Sequence, residues 1–342
     1  MPLQRLLDNG MTLADADDLL ALSEEGVPWH QAGESLGEEN LRLAREAAGA
    51  GGLISARDYF LHACACFRFA QSAFFRDTPE KLELYQKVID SFAQAMALES
   101  PTALKVEVPF RDRLISGWLL SPTRMQRPAM VVIFGGADGW RESYYPIARQ
   151  LLARSLAVCL LDLPGQGETR LNQGLYLDAD YAGAFAQVIS TLRWHLDFGD
   201  RLGVLGNSFG GTLAAAIACT VPDVAAVCVN GGSSRPIEVI ERYPRMIERI
   251  GAMLGNFSEG TVRATLAALS LGPALADLRC PLLVLHGARD QVFRLSSAQE
   301  IYELAASDKK EMVIWEDGDH CIYNHSDDRN AVLGDWFVDR LG

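Results

Sequence analysis

Apolar residues recur at helical spacing through the first hundred positions of the chain. Between residues 55 and 75 they stand three or four positions apart, which predicts an amphipathic helix. A second helix is predicted after Thr78, a residue type that caps helix N-termini, and Pro79, which suits the first helical turn. A charged helix over 29–48 precedes both. Because no alternating strand pattern interrupts this stretch, we expect a helical N-terminal domain over residues 1–101.

From residue 102 onward, short apolar runs alternate with amphipathic stretches. The first two runs, 104–109 and 114–121, alternate polar and apolar residues around a turn and predict an antiparallel hairpin. The later runs are mostly apolar, as in strands buried on both faces of a parallel sheet: 129–134, 156–161, 202–205, 224–229, 281–285 and 311–315. Helices are predicted at 145–152, 181–196, after the run at 202–205, and at 330–341. Residues 102–342 are therefore expected to form an α/β fold with a mainly parallel central sheet.

The strand series is interrupted between Gly232 and Gly272 by a mostly helical stretch. We expect this stretch, about residues 233–272, to be a helical lid insertion over the carboxyl edge of the sheet. Folds of this class bind their ligands at that edge. Substrate specificity is therefore expected to reside in the lid and in the helical domain.

Charge and hydropathy narrow the range of partners. The formal net charge of −13 argues against nucleic acid or an anionic membrane as the main partner, since both require basic patches. No uncharged run approaches the ~20 residues of a membrane span. The first residues lack a basic region followed by an apolar stretch, so no signal peptide is expected. The charge identifies no partner and mainly predicts solubility. With the cysteines described next, the expectation is a cytoplasmic protein.

The seven cysteines predict neither disulfides nor a metal site. Their number is odd and most stand inside apolar runs, which is typical of reduced, buried thiols. The cluster His62-x-Cys64-x-Cys66 does not share one helix face, and no second pair of ligand residues follows it. We therefore expect no metal ion, and the sequence offers no motif for a cofactor.

A serine lies in the turn between a predicted strand and a predicted helix. Ser208 stands in Gly206-Asn207-Ser208-Phe209-Gly210, which follows an apolar run and precedes the small residues of 212–218. This G-x-S-x-G pattern in a strand–turn–helix context predicts a nucleophile elbow, in which a strained turn exposes the serine hydroxyl. Ser208 is the predicted nucleophile.

A candidate acid and a candidate base follow the serine along the chain, each just after a predicted strand. A serine hydroxyl needs a base to remove its proton and an acid to orient that base. Asp290 comes just after the strand at 281–285, and His320 comes just after the strand at 311–315. The order Ser, Asp, His then predicts the triad Ser208–Asp290–His320. Asp319 and His325 are the nearest substitutes, and the alternative for Asp290 and His320 is that they are ordinary loop residues.

The oxyanion of an acyl-transfer intermediate needs two backbone N–H donors. One is expected from Phe209, directly after the nucleophile. The other is expected from the loop after the strand at 129–134, where Ala137 is favoured and Gly136 is the alternative. The glycines of this loop would otherwise form a plain strand-end turn. The loop at 162–168 is predicted to be a structural turn.

Several motifs together resemble one α/β-hydrolase group. They are Val27-Pro28-Trp29, Phe134-Gly135-Gly136-Ala137-Asp138, Pro164-Gly165-Gln166-Gly167-Glu168, Gly206-Asn207-Ser208-Phe209-Gly210-Gly211 and Gly318-Asp319-His320-Cys321. The group includes 2,6-dihydroxypseudooxynicotine hydrolase, FrsA-like proteins and fungal hydrolases that shorten polyketide chains. The resemblance spans nearly the whole chain, and the helical N-terminal domain is its discriminating part.

The resemblance implies more than the triad does. It implies a homodimer, a site between the helical domain and the core, and hydrolysis of a C–C bond beside a ketone. It also implies an additional acidic residue after the strand that follows the elbow, for which Glu238 is the candidate and Glu241 the substitute. The alternative for Glu238 is a solvent-exposed glutamate on a helix face.

The predicted function is a serine hydrolase that cleaves a 1,3-diketone or an acyl-phenol type molecule, such as a polyketide or an aromatic catabolite. A carboxylester or lactone hydrolase, or an acyl-transfer cyclase, would use the same triad. A binding protein with an inactive site is the alternative from another class. The intact set of Ser208, Asp290 and His320 argues against that last reading.

Overall fold

The computed structural model describes residues 1–101, 103–123, 127–195 and 198–342. These residues divide into two compact units, Met1–Leu104 and Lys105–Gly342. The domain boundary predicted from the sequence, between residues 101 and 102, falls close to this division. Position 102 itself, and position 196 at the predicted end of one helix, lie outside the described residues.

The first unit is built from helices. They are α1 (Leu3–Asp8), α2 (Leu13–Glu24), α3 (Trp29–Gly49), α4 (Leu53–Gln71) and α5 (Pro79–Ala97). The Thr78 hydroxyl accepts a hydrogen bond from the backbone N–H of Lys81, so Thr78 caps α5 as its sequence context predicts. The prediction that α4 extends to residue 75 is wrong. After Gln71 the α-helical bonding ends, because the N–H groups of Ser72, Ala73 and Phe74 donate to carbonyls three residues back instead of four. The carbonyl of Phe69 also accepts from the Ser72 hydroxyl and the Trp29 indole.

The second unit contains an eight-stranded sheet in the described residues. Its strands are β1 (Leu104–Phe110), β2 (Arg113–Leu120), β3 (Met130–Phe134), β4 (Ala157–Leu161), β5 (Leu202–Asn207), β6 (Val224–Asn230), β7 (Leu282–Gly287) and β8 (Lys310–Trp315). Their order is β1-β2-β4-β3-β5-β6-β7-β8. Strand β2 runs antiparallel to β4, and the pairs from β4 to β8 are parallel. The predicted α/β-hydrolase fold with a mainly parallel sheet is confirmed.

Helices connect these strands. They are α6 (Tyr145–Ala153), α7 (Gly167–Leu171), α8 (Tyr181–His195), α9 (Phe209–Thr220), α10 (Glu238–Arg242), α11 (Met246–Leu254), α12 (Glu259–Ala268), α13 (Leu295–Leu304) and α14 (Ser326–Leu341). Short 3₁₀ segments cover Arg141–Tyr144 and Gly272–Asp277, and a third, His320–His325, is kinked at Cys321 and Ile322. Helices α10, α11 and α12 fill the insertion between β6 and β7, and its role as a lid stays a prediction. None of the helices in the described ranges is long and apolar enough to cross a membrane.

The register of the parallel strands brings their carboxyl ends level at one edge of the sheet. Pairs of partner residues at these ends are Phe134 with Gly206, Asn207 with Asn230, and Gly287 with Trp315. Ser208 follows β5 directly, and Asp290 and His320 lie in the loops after β7 and β8. Parallel pairing therefore collects three loops that are far apart in the chain at one edge.

Candidate active site

Ser208 occupies a strained turn between β5 and α9. Its backbone has φ 60° and ψ −130°, a conformation that costs a residue with a Cβ about 1–3 kcal/mol. A Cβ at Gly206 would lie 2.1 Å from the carbonyl oxygen of Gly210, so the strand and the helix can approach only because position 206 is glycine. The local sequence thus explains why the chain turns sharply here and presents the serine hydroxyl.

The three predicted triad residues lie in contact with one another. The Nε2 of His320 is 2.8 Å from the Oγ of Ser208, and its Nδ1 is 2.8 Å from the Oδ2 of Asp290. The other carboxylate oxygen of Asp290 accepts hydrogen bonds from the N–H groups of Val292 and Phe293, at 2.6 and 3.0 Å. Asp290 is therefore held on both oxygens, and its position fixes the imidazole against the serine.

The charges of this cluster shift the ionisation of its members. Burial alone would raise the pKa of Asp290, but the charge of His320 and the hydrogen bond to it bring that pKa below its usual value. Burial alone would lower the pKa of His320, but the adjacent Asp290 carboxylate raises it well above the ordinary value. The imidazole is accordingly a stronger base than a free histidine, as removal of a serine proton requires.

The substitutes for the triad residues make other contacts. The Nε2 of His325 lies 2.8 Å from the Oδ1 of Asp317 on the surface. The Oδ1 of Asp319 accepts from the N–H of Asn324. Both partnerships close the loop after β8 on itself, whereas His320 contacts Ser208 and Asp290 contacts His320.

The loop after β3 lies directly against Ser208. A Cβ at Gly136 would be 3.0 Å from the nitrogen of Phe209 and 3.1 Å from the Cβ of Ser208. Within the described part of the chain, the N–H groups of Phe209, Ala137 and Gly136 donate no hydrogen bond to another residue. Two directions of approach, the start of α9 and the loop 135–139, thus offer N–H donors beside the serine. The assignment of Phe209 with Ala137 or Gly136 to an oxyanion hole stays a prediction.

The loop at 162–168 does more than reverse the chain. Gln166 is fully buried, and its Nε2 donates to the carbonyl of Gly135 while its Oε1 accepts from the N–H of Leu163 at 3.0 Å. Gln166 thereby supports the start of the loop 135–139, which is called the oxyanion loop below after its predicted role. This role of Gln166 was not predicted from the sequence. There Gln166 is only a polar residue between two glycines, in a loop predicted to be a structural turn.

A buried charge network lies next to this support. The carboxylate of Asp162 accepts from the backbone N–H groups of Arg141 and Glu168, at 3.1 and 3.0 Å. The Arg141 side chain bonds to Glu142 and to Glu168. Burial raises the pKa of Asp162 to about 7, against the opposing charge of Arg141. The network joins the loop after β3 to the loop after β4.

Glu238 is not a solvent-exposed residue. Its side chain is buried, and its carboxylate accepts hydrogen bonds from the hydroxyls of Ser233 and Ser297 and from the N–H of Arg294. The exposed alternative for Glu238 is therefore wrong, because α10 packs this face inward. Its substitute Glu241 is exposed. The role of Glu238 as an additional acid stays a prediction.

A second histidine stands near the triad carboxylate. His286 is buried at the end of β7, and its Nε2 is 3.8 Å from the Oδ2 of Asp290. Burial lowers its pKa, so the ring is neutral at pH 7. In the structure it faces Asp290, whereas the Ser208 hydroxyl meets His320.

No metal cluster and no disulfide occur among the described residues. Groups of three or more His, Cys, Asp or Glu side chains that could hold a metal ion are absent there. Cys219 and Cys280 are half-buried, and the other cysteines are buried. The Sγ of Cys321 lies 3.6 Å from the Nε2 of His320.

Comparisons with known proteins find a matching family model and several relatives. A family model described as the alpha/beta hydrolase family matches residues 114–332. The 2,6-dihydropseudooxynicotine hydrolase of Paenarthrobacter nicotinovorans is 26% identical over 98% of this chain and 91% of its own length. The alpha/beta hydrolase gkaG of Penicillium citrinum is 30% identical over 59% of this chain, and the match spans 50% of that longer protein.

A solved structure extends the likeness to the whole fold. The crystal structure of the 2,6-dihydroxy-pseudo-oxynicotine hydrolase has a TM-score of 0.88 with this chain, at 25% identity. It covers 99% of this chain, and 95% of that structure is matched. The helical N-terminal unit is thus included in the similarity, as the sequence motifs predicted.

Proposed function

The chain belongs to the alpha/beta hydrolase family and is a hydrolase, and on this premise we propose that Ser208, His320 and Asp290 are its catalytic residues. One observation carries the proposal. His320 contacts the Ser208 hydroxyl with one ring nitrogen and the Asp290 carboxylate with the other, each at 2.8 Å. This is the arrangement in which a base removes a serine proton while an acid holds the tautomer.

Acylation follows from these contacts. His320 takes the Ser208 proton as the Oγ attacks a carbonyl carbon, and the carbonyl oxygen becomes an alkoxide. The N–H groups of Phe209 and Ala137, with Gly136 as the alternative, stabilise that charge. When the intermediate collapses, the bond to the leaving group breaks and the protonated His320 returns its proton to that group. Water then attacks the acyl-serine, with His320 again as the base.

The favoured bond is a C–C bond beside a ketone, in a 1,3-diketone or an acyl-phenol type substrate. Its cleavage expels a carbanion, which forms only where a neighbouring carbonyl or aromatic ring delocalises the electron pair. The likeness over 98% of the chain to a 2,6-dihydropseudooxynicotine hydrolase supports this choice, together with the motifs that imply the same group. The homodimer implied by those motifs belongs to the same proposal, and light scattering of the purified protein tests it.

A carboxylester or lactone hydrolase is the second candidate. The buried Glu238 already accepts three hydrogen bonds from its own chain, which leaves His320 as the proton donor beside Ser208. An ester needs no more than this, because its leaving alkoxide takes one proton and requires no delocalising group.

Paired turnover assays separate these candidates. Purified protein is given 1-phenylbutane-1,3-dione or phenyl acetate, and products are followed by chromatography for the wild type and for Ser208→Ala. The proposal expects serine-dependent diketone cleavage with a higher kcat/KM than for the ester. Ester turnover alone would restrict the function to an esterase. Diketone cleavage that survives Ser208→Ala would remove the serine mechanism.

A further inference from the structure

An ion pair joins the helical insertion to the oxyanion loop. The Nη1 of Arg249, on α11, lies 2.8 Å from the Oδ2 of Asp138. Asp138 directly follows Ala137, whose N–H is proposed to bind the oxyanion. A displacement of Asp138 would therefore be transmitted through one peptide unit to that donor.

The setting of this pair distinguishes it from ordinary surface pairs. The side chains of Arg249 and Asp138 are 9% and 24% exposed, whereas those of Arg263 and Glu259, on the next helix of the insertion, are 48% and 63% exposed. Solvent screens the attraction of exposed pairs, whereas partly buried pairs keep more of it. The contact between Arg249 and Asp138 is therefore expected to fix their positions more firmly than the exposed contact fixes Arg263 and Glu259.

Helix α11 also contacts the loop 162–168, which supports the oxyanion loop through Gln166. The N–H of Leu177 donates to the carbonyl of Met253 at 2.8 Å. A Cβ at Gly165 would lie 3.0 Å from the same carbonyl oxygen. Gly165 is adjacent to Gln166, whose amide holds the carbonyl of Gly135. Helix α11 therefore contacts the oxyanion loop directly, at Asp138, and also contacts the neighbouring segment that holds the Gly135 carbonyl.

The first helix of the insertion bonds to the loop that carries the triad acid. Glu238 accepts from the N–H of Arg294 at 3.1 Å, and the Nε of Arg242 donates to the carbonyl of Gln291 at 2.6 Å. These two side chains are one helical turn apart on α10 and meet the segment that follows Asp290. The insertion is thus attached to two of the loops around Ser208.

We propose that Arg249 and Asp138 are positioning residues that couple the helical insertion to the oxyanion hole. With the pair intact, the loop 135–139 presents its N–H donor to the oxyanion, and with the pair broken the donor is displaced. The inference rests on the proposed function, since it assumes that an oxyanion forms beside Ser208. Because that charge exists only in the transition state and the intermediate, the pair acts on kcat rather than on KM.

The test compares Arg249→Met and Asp138→Asn with the double variant, and Arg263→Met is the matched control. For each protein, kcat and KM are measured on the better substrate of the paired assays. The rate of inactivation by a fluorophosphonate is measured as well. In that reaction the Ser208 Oγ forms a bond to phosphorus, fluoride leaves with the P–F electron pair, and the phosphoryl oxygen occupies the oxyanion hole.

We expect kcat and the inactivation rate to fall by about 10- to 100-fold in both single variants, with KM changed less than about twofold. The double variant falls no further than the single ones, because both remove the same contact. Arg249→Lys restores part of the rate by keeping the charge, and Arg263→Met behaves as the wild type.

Two results would overturn the inference. One is an unchanged kcat in Asp138→Asn, which is nearly isosteric and decides the matter if Arg249→Met does not fold. The other is a raised KM at unchanged kcat, which would make Arg249 a substrate contact. Failure of the proposed function has a different signature, namely wild-type turnover by Ser208→Ala and no reaction with the fluorophosphonate.

Discussion

The Nε2 of His320 lies 2.8 Å from the Oγ of Ser208, although 112 positions separate these residues in the chain. The contact exists because β5 and β8 belong to one sheet and their following loops emerge at the same edge. The backbone of Ser208 is strained, and the pKa of His320 is raised. Both properties have measurable consequences.

Strain at Ser208 predicts that glycine stabilises this position. At φ 60° and ψ −130° a residue with a Cβ is unfavourable, so Ser208→Gly is expected to exceed Ser208→Ala in free energy of unfolding by about 1 kcal/mol. Both variants lose the contact with His320, so alanine is the matched control. Urea unfolding measures the difference. A glycine variant less stable than the alanine variant would show that the turn stores no strain.

The raised pKa of His320 predicts an activity that requires higher pH than an ordinary histidine would. The base works only when neutral, so kcat/KM rises as His320 loses its proton, and the midpoint of that rise is expected above 6.5. Asp290→Asn removes the charge that raises the pKa, so the midpoint moves to lower pH while kcat falls by about 10⁴-fold. NMR titration of the imidazole follows the shift where activity is too low.

Asp317→Asn is the control for this prediction. Asp317 pairs with His325 on the surface, and its removal is expected to leave the midpoint of the pH–rate profile unchanged. A midpoint that moved equally in both variants would mean that His320 is not the group observed.

The close approach of Gly136 to Ser208 and Phe209 allows a steric test of the oxyanion loop. A Cβ there would approach the Phe209 nitrogen to 3.0 Å and push the loop from the nucleophile, so Gly136→Ala is expected to lower kcat by about 100-fold. A Cβ at Gly49 meets nothing within 4 Å, so Gly49→Ala serves as the control. Full activity of Gly136→Ala would exclude this loop from the oxyanion hole.

The hydrogen bond from Gln166 to the Gly135 carbonyl allows a second test of the same loop. Gln166→Glu keeps the shape of the side chain but replaces the donor to the Gly135 carbonyl with an acceptor, so a buried carbonyl loses its partner. We expect a loss of about 1–3 kcal/mol in stability and a lower kcat. Gln94→Glu, where an exposed amide donates to the Asp90 carbonyl, is the control and is expected to change neither. Equal losses in both variants would refute a special role for Gln166.

Local pattern and chain order were enough to predict which residues of the candidate site come into contact. The glycines around Ser208 indicated the sharp turn, and the rule that the other two residues each follow a strand indicated Asp290 and His320. Their catalytic roles stay a proposal. Gln166 was not accessible in this way, because its contact with Gly135 depends on β3 and β4 being neighbours. The pairing of Asp138 with Arg249 likewise depends on how the inserted helices pack.

Short helices gave the weakest predictions. Helix α10 has five residues, too few for a periodic pattern to tell whether Glu238 faces inward or outward. The end of α4 was misjudged for a different reason, since the apolar spacing continues to residue 75 while the backbone bonds beyond Gln71 reach only three residues back. A change in backbone hydrogen bonding leaves no mark on hydrophobic spacing.

If Ser208 attacks a ketone carbonyl and becomes acylated, the mass of the enzyme during turnover records the acyl group. Protein is quenched with acid while it cleaves 1-phenylbutane-1,3-dione, then analysed intact and after digestion. We expect an added acyl group on the peptide that contains Ser208. We expect none on Ser208→Ala, which no longer cleaves the diketone. Wild-type cleavage by Ser208→Ala, with no acyl group on either protein, would contradict acylation of Ser208.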